Sequence, residues 1–502
     1  MATLSAETLV DAVRTHVDRI LDNGNAVGGP APLLPDAFDP ATGEAIEYDA
    51  RDVGDGRRLS NLAVQQEFLR TLVALTRLTG EQRYERTAEE ILTWSLDHLS
   101  DSTGLLYWGG HAAYDLDAGE TVVGKNDHEL KYEYPFYELL FEIDPDRGRR
   151  FVEAMWNAQI GDWSILDFDR HGSFDETMGT LWEHEYDPGD VFFWGDGLTF
   201  CNAGSDLYYA AAMLAHHTDE RAPLEWVRRL AHRYVETRQE PGISGYQYSQ
   251  HPSYCNGPAI LGDRAQYQFA PYIHGDHLVY ESTLFRPRPI VQRQQLALGA
   301  TLEEGDQFAE WALEELRAWR EGAYRPEQND FEPILTDGFS LEGFVIRREG
   351  YFGPKGRIVE AIDADWEFFW TYARAYRVGA DETCWRTARD IARGLGMGDL
   401  GVPRAGTGAL QPDSVCDYAA LYGLLELYRA TGRESLAEAA RGVGQNLLDA
   451  RGEDEWLVRD GRVDLEDPVP LALLHLAAGL RDEEASLPRP VGYRRTPTGG
   501  ID

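Results

Sequence analysis

The repeating unit of this 502-residue chain is visible in LTRLTGEQRYERTAEEI at residues 75–91, which recurs as AYRVGADETCWRTARDI at 375–391 and LYRATGRESLAEAARGV at 427–443. In each segment a helical pattern ends at a polar turn and a second amphipathic pattern follows. In the first segment Gly80 ends the helix, and a new apolar stripe with helical spacing begins at Tyr84. The unit is therefore a helical hairpin.

Looser copies of the hairpin are LLFEIDPDRGRRFVEAM at 139–155 and LAHHTDERAPLEWVRRL at 214–230. With the helical patterns in the rest of the chain, the sequence predicts about fourteen helices, or about seven hairpins. Such hairpins bury their apolar faces only by stacking on neighbours. The sequence therefore predicts an all-α dominated fold, an (α/α)7-type toroid, rather than an open solenoid. The long loops at 100–127 and 159–202 should then converge on one of its faces.

Residues 1–485 are predicted to form this single catalytic domain. One exception to the helical pattern is the region 243–304, where HLVYESTLF and PIVQRQQLAL are strand-like, so a small β insertion is expected there. The tail 486–502, which begins SLPRPVGYRR, is predicted to be flexible.

The charge of the chain is strongly acidic. There are 86 Asp and Glu residues against 47 Lys and Arg, giving a formal net charge of -39, and the only lysines are Lys125, Lys131 and Lys355. Lysine depletion together with the acid excess favours a salt-adapted organism over a merely acidic mesophilic protein, because concentrated salt screens the self-repulsion. Nucleic acid is not an expected partner, since a nucleic-acid binder shows a basic stripe.

The sequence gives no indication of a membrane protein. No stretch approaches 18 uninterrupted apolar residues, so no membrane partner is expected. The beginning, MATLSAETLVDAVRTHVDRIL, has no basic region and carries acids within its apolar pattern, so it is interpreted as a helix of the fold and not as a secretion signal. A cytoplasmic location is expected, and a monomer and a homodimer both fit.

Three histidines stand apart from the ten others. His111, His128 and His171 lie in or beside long loops, within YWGGHAAYD, NDHELKYEYPFYE and DFDRHGSFD, whereas most of the rest lie in helical patterns. Loops on a rigid scaffold are where sites are usually built. Two histidines and a carboxylate would suit Mn, Fe, Co, Ni or Zn rather than calcium, which prefers six to eight oxygen ligands.

The same region resembles the family 2 polysaccharide lyases, which are pectate and exopolygalacturonate lyases with an (α/α)7 toroid. The motifs that carry the resemblance are, in order, YWGGHAAYDLD at 107–117, HELKYEYPFYELLFEIDP at 128–145, WNAQIGDW at 156–163 and DRHG at 169–172. Their order, spacing and flanking aromatic residues agree over roughly 105–175, and the helical repeat agrees over most of the remainder.

The resemblance implies a role for each matching residue. His111, Glu129 and His171 would bind a divalent metal, most often manganese, with Ni, Co, Fe and Zn as alternatives, and Arg170 would be the catalytic base. Glu133 is an alternative to Glu129, because in a helix it would lie one turn further along nearly the same face. His128 becomes a neighbour of the metal site instead of a ligand.

These residue types suit β-elimination from a uronate. A cation bound to the substrate carboxylate neutralises it and stabilises the negative charge that develops when the C5 proton leaves. A basic side chain must reach that proton. An arginine beside a bound cation is a coherent base, because burial and a neighbouring cation both disfavour its charged form. From the residues alone, a bidentate clamp on a carboxylate is the favoured role of Arg170; the resemblance favours the base.

Substrate contacts are expected from cations and an aromatic platform. The candidates are Lys131, Arg264, Trp108, Lys355 and Arg357. The predicted activity is that of a pectate or oligogalacturonate lyase that cleaves α-1,4-galacturonosyl linkages to 4,5-unsaturated products, with short oligogalacturonides favoured over polymeric pectin. The alternatives are a glycoside hydrolase or sugar epimerase on the same toroid, and a glycan-binding protein without catalysis.

Overall fold

A computed structural model describes residues 4–26, 31–50, 54–124, 127–130, 132–245, 248–249, 272–274, 277–279, 289–345, 355–404, 408–453, 455–481 and 487–492. Over these residues the helices are α1 (Ala6–Ala26), α2 (Gln66–Thr79), α3 (Arg83–His98), α4 (Tyr137–Ile143), α5 (Pro145–Gln159), α6 (Cys201–Thr218), α7 (Arg221–Glu236), α8 (Ile290–Thr301), α9 (Asp306–Gly322), α10 (Trp366–Gly379), α11 (Glu382–Gly394), α12 (Tyr418–Thr431), α13 (Glu434–Arg451) and α14 (Val469–Gly479).

The strands are all short. They are β1 (Ala37–Phe38), β2 (Tyr48–Ala50), β3 (Gly54–Arg57), β4 (Leu59–Ser60), β5 (Ala112–Asp115), β6 (Glu120–Val123), β7 (Asp127–Glu129), β8 (Ile160–Asp162), β9 (Asp167–Phe168), β10 (His171–Ser173), β11 (Tyr272–His274), β12 (His277–Val279), β13 (Tyr324–Arg325), β14 (Asp330–Phe331), β15 (Ile362–Asp363), β16 (Gly398–Asp399), β17 (Ala409–Leu410), β18 (Gly452–Glu453), β19 (Trp456–Leu457) and β20 (Val463–Asp464). They form antiparallel pairs and two three-stranded sheets, β4-β5-β6 and β13-β14-β15.

The predicted hairpins are present, and their turns have the expected chemistry. Gly80 and Gly432 end α2 and α12 in the left-handed conformation, each donating its backbone N–H to a helix carbonyl. Asp144 and Asp381 accept backbone N–H groups at the beginnings of α5 and α11. At 380–381 the two features are combined: Ala380 ends α10 in the left-handed conformation, and Asp381 caps α11 directly after it.

The fourteen helices of the described chain close into a ring of seven pairs. The even-numbered helices pack side by side as an inner ring, and each odd-numbered helix lies outside a neighbour. The first and last helices close the ring, because α14 packs against both α1 and α2. This arrangement confirms the predicted all-α dominated (α/α)7 toroid. No helix in the described residues is both long enough and apolar enough to cross a membrane.

The long connections all lie on one face of the ring. Each passage from an inner helix to its outer partner takes one to four residues, as at Asp144 or at 380–381. Each passage from an outer helix back to an inner one is long, as at 99–136 and 160–200. The inner helices therefore run parallel, and the long loops gather at their N-terminal ends. We call this side the loop face.

Residues 487–492, which we call the axial segment, run through the centre of the ring. The backbone N–H of Val491 donates to Oε1 of Glu67 on α2 at 3.1 Å, and its carbonyl accepts from Nη2 of Arg293 on α8 at 2.9 Å. Pro488 accepts a hydrogen bond from His475 on α14. Because these helices lie on different sides of the ring, the axial segment must lie near its axis. The prediction of a flexible tail from Ser486 is wrong for these six residues.

Two other predictions of local structure are wrong. PIVQRQQLAL was expected to be strand-like, but helix α8 begins at Ile290, and residues 290–298 are buried. Within the predicted β insertion at 243–304, the described strands are β11 and β12, which pair antiparallel. The helical relation assumed between Glu129 and Glu133 is also wrong, because α4 begins only at Tyr137 and Glu129 lies in strand β7.

Candidate metal centre

The centre is built on the antiparallel pair of β7 and β10. His171 is directly opposite Glu129, and Ser173 is opposite Asp127. Side chains of directly paired residues share one face of the sheet, and residues two apart in a strand also share that face. The pairing therefore places Asp127, Glu129 and His171 together on one side.

Three basic groups converge on the buried carboxylate of Glu129. His171 Nε2 is 3.3 Å from Oε1 and His111 Nε2 is 3.4 Å from Oε2. Arg170 Nε is 3.4 Å from Oε1. The imidazole centroids of the two histidines are 5.5 Å apart. The four residues that the resemblance named as ligands and base are thus brought together around one carboxylate.

Asp127 is a further member of the cluster that sequence reasoning did not identify. One oxygen of Asp127 lies within 4.8 Å of the nearest ring nitrogens of His111 and His171, a spacing that suits a shared ion. Its Oδ1 is buried and accepts no hydrogen bond from any described residue. The sequence NDHE places Asp127 two residues before Glu129. That spacing brings the two side chains to the same face only because the segment is a strand, β7.

Glycines let the centre assemble so tightly. A Cβ on Gly110 would overlap the Oε2 atom of Glu129, and one on Gly109 would lie 2.8 Å from the carbonyl oxygen of Glu129. Gly109 also has a φ of 98°, which side chains rarely allow. Asn61 fixes this backbone by donating from Nδ2 to the carbonyl of Gly109 at 2.8 Å. The two glycines of YWGGH thus give Glu129 the room to lie beside His111.

Asp169 orients the ring of His171. Its Oδ1 accepts from the backbone N–H of His171 at 2.9 Å and lies 3.0 Å from Nδ1. With Nδ1–H donated to Asp169, Nε2 is left to face Glu129, the arrangement that carboxylates give to metal-binding histidines. Burial would lower the pKa of His171, but hydrogen bonds to Asp169 and Glu129 raise it above its ordinary value. Burial alone would raise the pKa of Asp169, but the hydrogen bonds and charge of His171, together with the charge of Arg170, lower it below its ordinary value.

Arg170 is partly buried between these strands and the beginning of α6. Its carbonyl accepts from the backbone N–H of Leu130 at 3.0 Å, and its guanidinium lies 5.6 Å from the ring centre of Phe200. The side chain is 15% exposed. It therefore reaches the centre from a fixed backbone and keeps a small exposed surface towards a substrate.

His128 faces the opposite way. It is fully buried, its Nε2 accepts from Trp108 Nε1 at 2.5 Å, and its Nδ1 is 3.1 Å from the amide of Gln159. Both ring nitrogens are thus occupied by protein, as expected for a neighbour of the site. Trp108 itself is only 1% exposed and packs edge-on against Phe151. The prediction that Trp108 stacks on a sugar is therefore wrong, because neither face of its ring is accessible.

The helical argument for Glu133 as an alternative ligand does not hold. Glu129 is in a strand, and the chain turns at Tyr132 and Tyr134, which have positive φ, before α4 begins. Glu133 is buried. Among the described residues, the ligand atoms that lie within 4.8 Å of one another belong to His111, Asp127 and His171, so Glu129 and Glu133 both lie outside that group. The carboxylate of Glu129 is within 3.4 Å of both histidine rings, and these contacts favour it over Glu133.

The predicted substrate cations are only partly covered by the structure. Lys131 and Arg264 lie outside the described residues. Lys355 is exposed and Arg357 is half-buried, on the connection between α9 and α10 at the loop face. That position is compatible with a substrate contact, and the roles of all four remain predictions.

The donor set fits a divalent transition metal. Two imidazole nitrogens and buried carboxylate oxygens converge, and the ring nitrogens have the spacing that a shared ion would need. Burying the carboxylate of Glu129 and the Oδ1 atom of Asp127 is costly unless positive charge compensates them. His111, Glu129 and His171, with Asp127, are the residues that would hold the ion, and such a mixed nitrogen and oxygen set suits manganese and its neighbours better than calcium.

Comparison with known proteins identifies the family to which this helical toroid belongs. The family model described as "Periplasmic pectate lyase" matches residues 31–500. A pectate disaccharide-lyase of Dickeya dadantii (strain 3937) is 29% identical over 513 residues, covering 95% of this chain and 90% of that protein. The chain belongs to the family 2 pectate lyases and is a polysaccharide lyase.

Solved structures show more distant likeness. A D-mannose isomerase aligns with a TM-score of 0.46 at 11% identity, over 80% of this chain and 89% of that one. The unsaturated glucuronyl hydrolase of Bacillus sp. GL1 aligns with a TM-score of 0.41 at 12% identity, over 95% and 98% of the two chains.

Proposed function

We propose that the protein cleaves α-1,4-galacturonosyl linkages of oligogalacturonides by metal-assisted β-elimination. The observation that carries the proposal is the convergence of His111, His171 and Arg170 on the carboxylate of Glu129. This arrangement combines ligands for a cation with a basic side chain, the two components that elimination beside a carboxylate requires.

The metal would be held by His111, Glu129 and His171, with Asp127 as an additional oxygen donor. Mn²⁺ is the ion we propose first. When bound, such an ion supplies a positive charge that neutralises the uronate carboxylate and makes the adjacent C5 proton more acidic. Asp169 keeps His171 in the tautomer that leaves Nε2 available to it.

Arg170 takes the C5 proton in this proposal. Arg170 enters the step as the neutral guanidine and leaves it as the guanidinium. The electron pair of the C5–H bond forms the C4=C5 double bond, the C4–O bond breaks, and the leaving oxygen receives a proton from water. The products are a 4,5-unsaturated uronate and a shortened saccharide. The backbone of Arg170 is held by Leu130, and its side chain is confined by Glu129 and Phe200, so the base needs little reordering.

The test is incubation with trigalacturonate and Mn²⁺ in concentrated KCl, following the ultraviolet absorbance of the unsaturated product. Signal is expected in the unaltered protein, loss of signal after EDTA, and recovery on adding Mn²⁺ back. Arg170→Lys and Arg170→Ala should both lose turnover while retaining Mn²⁺. Absence of product across several metals would contradict the lyase. Saturated products and activity insensitive to EDTA would instead indicate a hydrolase.

We also propose a salt-adapted, cytoplasmic enzyme. The proposal of salt adaptation is supported by the net charge of -39 and the presence of only three lysines. The acidic side chains repel one another unless salt screens their charges. The midpoint of thermal unfolding is expected to rise steeply with KCl and little with sorbitol at equal osmolality. Equal effects of the two solutes would contradict a role of charge screening. Cell fractionation of the producing organism tests the location.

A further inference from the structure

We propose that Trp194 is a stacking platform for a sugar ring of the substrate, forming a subsite beside the metal centre. The inference rests on the proposed function, since it takes the ligand to be an oligogalacturonide. It assigns to Trp194 the aromatic role that the buried Trp108 cannot fill.

Trp194 has the most exposed side chain of all the tryptophans in the protein. All thirteen tryptophans lie within the described residues, and the other twelve are buried or half-buried, whereas Trp194 is 56% exposed. Leaving so large an apolar ring in water is unfavourable. Tryptophan is enriched at binding interfaces, because its ring combines a large apolar face with a polar N–H group.

The chain before Trp194 is fixed to the scaffold. Arg233 on α7 donates from Nη2 to the carbonyl oxygens of Pro188 and Asp190, both at 3.2 Å. The ring of Phe193 packs on Tyr248 with their centroids 5.8 Å apart. Trp194 is therefore exposed on a backbone that is held in place, because the adjacent side chain of Phe193 packs against Tyr248.

The chain after Trp194 is tied to β9. Asp167 accepts from the backbone N–H of Asp196 at 2.8 Å. A Cβ on Gly195 would lie 2.5 Å from Oδ1 of Asp167, and a Cβ on Gly197 would overlap the carbonyl of Phe168. The sequence WGDG at 194–197 therefore lets the backbone lie directly on the strand and leaves the indole as its exposed side chain.

One carboxylate connects this segment with the metal centre. Asp169 accepts from the backbone N–H of Leu198 with one oxygen at 3.1 Å, and its other oxygen holds Nδ1 of His171 at 3.0 Å. Trp194 is four residues from Leu198, so their Cα atoms are at most roughly 14 Å apart. The path from Leu198 to His171 adds the two hydrogen bonds of Asp169, at 3.1 and 3.0 Å. A sugar chain of several residues that starts at His171 therefore spans the distance to Trp194.

The chemistry of the position suits the face of a pyranose ring. Its C–H groups form an apolar patch that an indole can cover, while the hydroxyl groups stay in water. An anchored ring also loses little conformational freedom on binding. Asp196, two residues away, is exposed and anionic, so the platform takes the face of a sugar and not its carboxylate. Its contribution should be largest in concentrated salt, where the repulsion between acids is screened.

The experiment is steady-state kinetics with tri- and hexagalacturonate in concentrated KCl and saturating Mn²⁺. Trp194→Ala should raise KM by roughly three- to tenfold, more for the longer substrate, with kcat and Mn²⁺ affinity unchanged. Trp194→Phe, which keeps an aromatic face, should retain most of the affinity. Val402→Ala is the control, because Val402 is 46% exposed on the connection between α11 and α12, which carries none of the predicted substrate contacts.

A second measurement does not depend on turnover. In EDTA, hexagalacturonate should protect tryptophan fluorescence from acrylamide quenching in the unaltered protein but not in Trp194→Phe. Two results would overturn the stacking role of Trp194 while leaving the proposed lyase activity intact, provided that the unaltered enzyme is active. They are an unchanged KM in Trp194→Ala, or no protection of the unaltered protein from acrylamide quenching by hexagalacturonate. A protein that shows protection but makes no unsaturated product would overturn the proposed function and leave the platform standing.

Discussion

His171 is paired directly opposite Glu129 in the β7–β10 ladder, and its Nε2 is 3.3 Å from the glutamate Oε1. Backbone hydrogen bonding thus sets the separation of two proposed metal ligands that are 42 positions apart in the chain. A slip of one residue would turn one of them to the other side of the sheet. The opposite side is taken by His128 and Gly172, which pack towards α5.

Asp169→Asn should weaken Mn²⁺ binding by about 10–100-fold, because loss of a carboxylate that fixes the tautomer of a metal-binding histidine typically lowers metal affinity by that factor. Isothermal titration with Mn²⁺ provides the measurement. Asp167→Asn is the matched control, since Asp167 accepts from the adjacent backbone N–H groups of residues 196–197, next to the Leu198 that Asp169 holds. Equal Mn²⁺ affinities in Asp169→Asn and in the unaltered protein would show that His171 is oriented by other contacts.

The three acids of the 127–133 segment should separate into ligands and a bystander. Glu129→Gln should abolish stoichiometric Mn²⁺ binding, and Asp127→Asn should weaken it, because each removes an anionic oxygen from the cluster. Glu133→Gln should leave Mn²⁺ content unchanged. Elemental analysis of folded proteins, checked by circular dichroism, would decide. A metal-free Glu133→Gln together with a loaded Glu129→Gln would reverse the assignment.

Gly110→Ala should displace the carboxylate of Glu129, because the new Cβ would overlap Oε2. We expect loss of Mn²⁺ binding and of activity, since the ligand cannot keep its position beside His111. Gly161→Ala is the control: its Cβ would lie 3.7 Å from the nearest atom, in ordinary contact. Retained Mn²⁺ affinity in Gly110→Ala would mean that Glu129 is free to move, contrary to the packing described.

Stability should fall on acidification through His475. Burial lowers its pKa to about 3, from an ordinary value of 6.5. A histidine with a lowered pKa in the folded state contributes its full stability above pH 6.5 and loses it as the pH falls, because the unfolded chain binds the proton more readily. By about pH 5 the loss is roughly 2 kcal/mol. The free energy of unfolding should therefore decrease less in His475→Gln, whose amide can still donate to Pro488.

Urea unfolding at pH 7 and pH 5 gives the comparison, and His98→Gln serves as the control because His98 is exposed at the end of α3. The same pH dependence in His475→Gln and in the unaltered protein would assign the acid sensitivity to other groups.

The hairpins could be predicted from sequence because their signals are local. Glycine endings, aspartate caps and apolar stripes all lie within about twenty residues of each other, as around Gly80 and Asp381. Helix α8 could not be predicted in that way. It is buried from Ile290 to Leu298, so it shows no polar face, and the β-branched Ile290 and Val291 at its beginning favour a strand.

The site was accessible to sequence reasoning only through motifs. The WGGH, HELK and DRHG segments named His111, Glu129, Arg170 and His171, and the structure brings these four together. The contribution of Asp127 depends on the β7–β10 register, a pairing between distant segments. Trp108 is buried because it packs against Phe151, and Trp194 is exposed because Asp167 holds the backbone beside it. Both contacts are with residues distant in the sequence, so the local sequence around each tryptophan does not predict its exposure.

The axial segment also has a consequence for biosynthesis. A ribosome releases the chain from its N-terminus, so Glu67 and Arg293 are made long before Val491, the residue whose backbone they bind. Helix α1 likewise cannot pack against α14 until the C-terminal part of the chain has been synthesised. The ring can therefore close only after nearly all of the chain has left the ribosome, and until then the inner helices keep partly exposed faces that chaperones could bind.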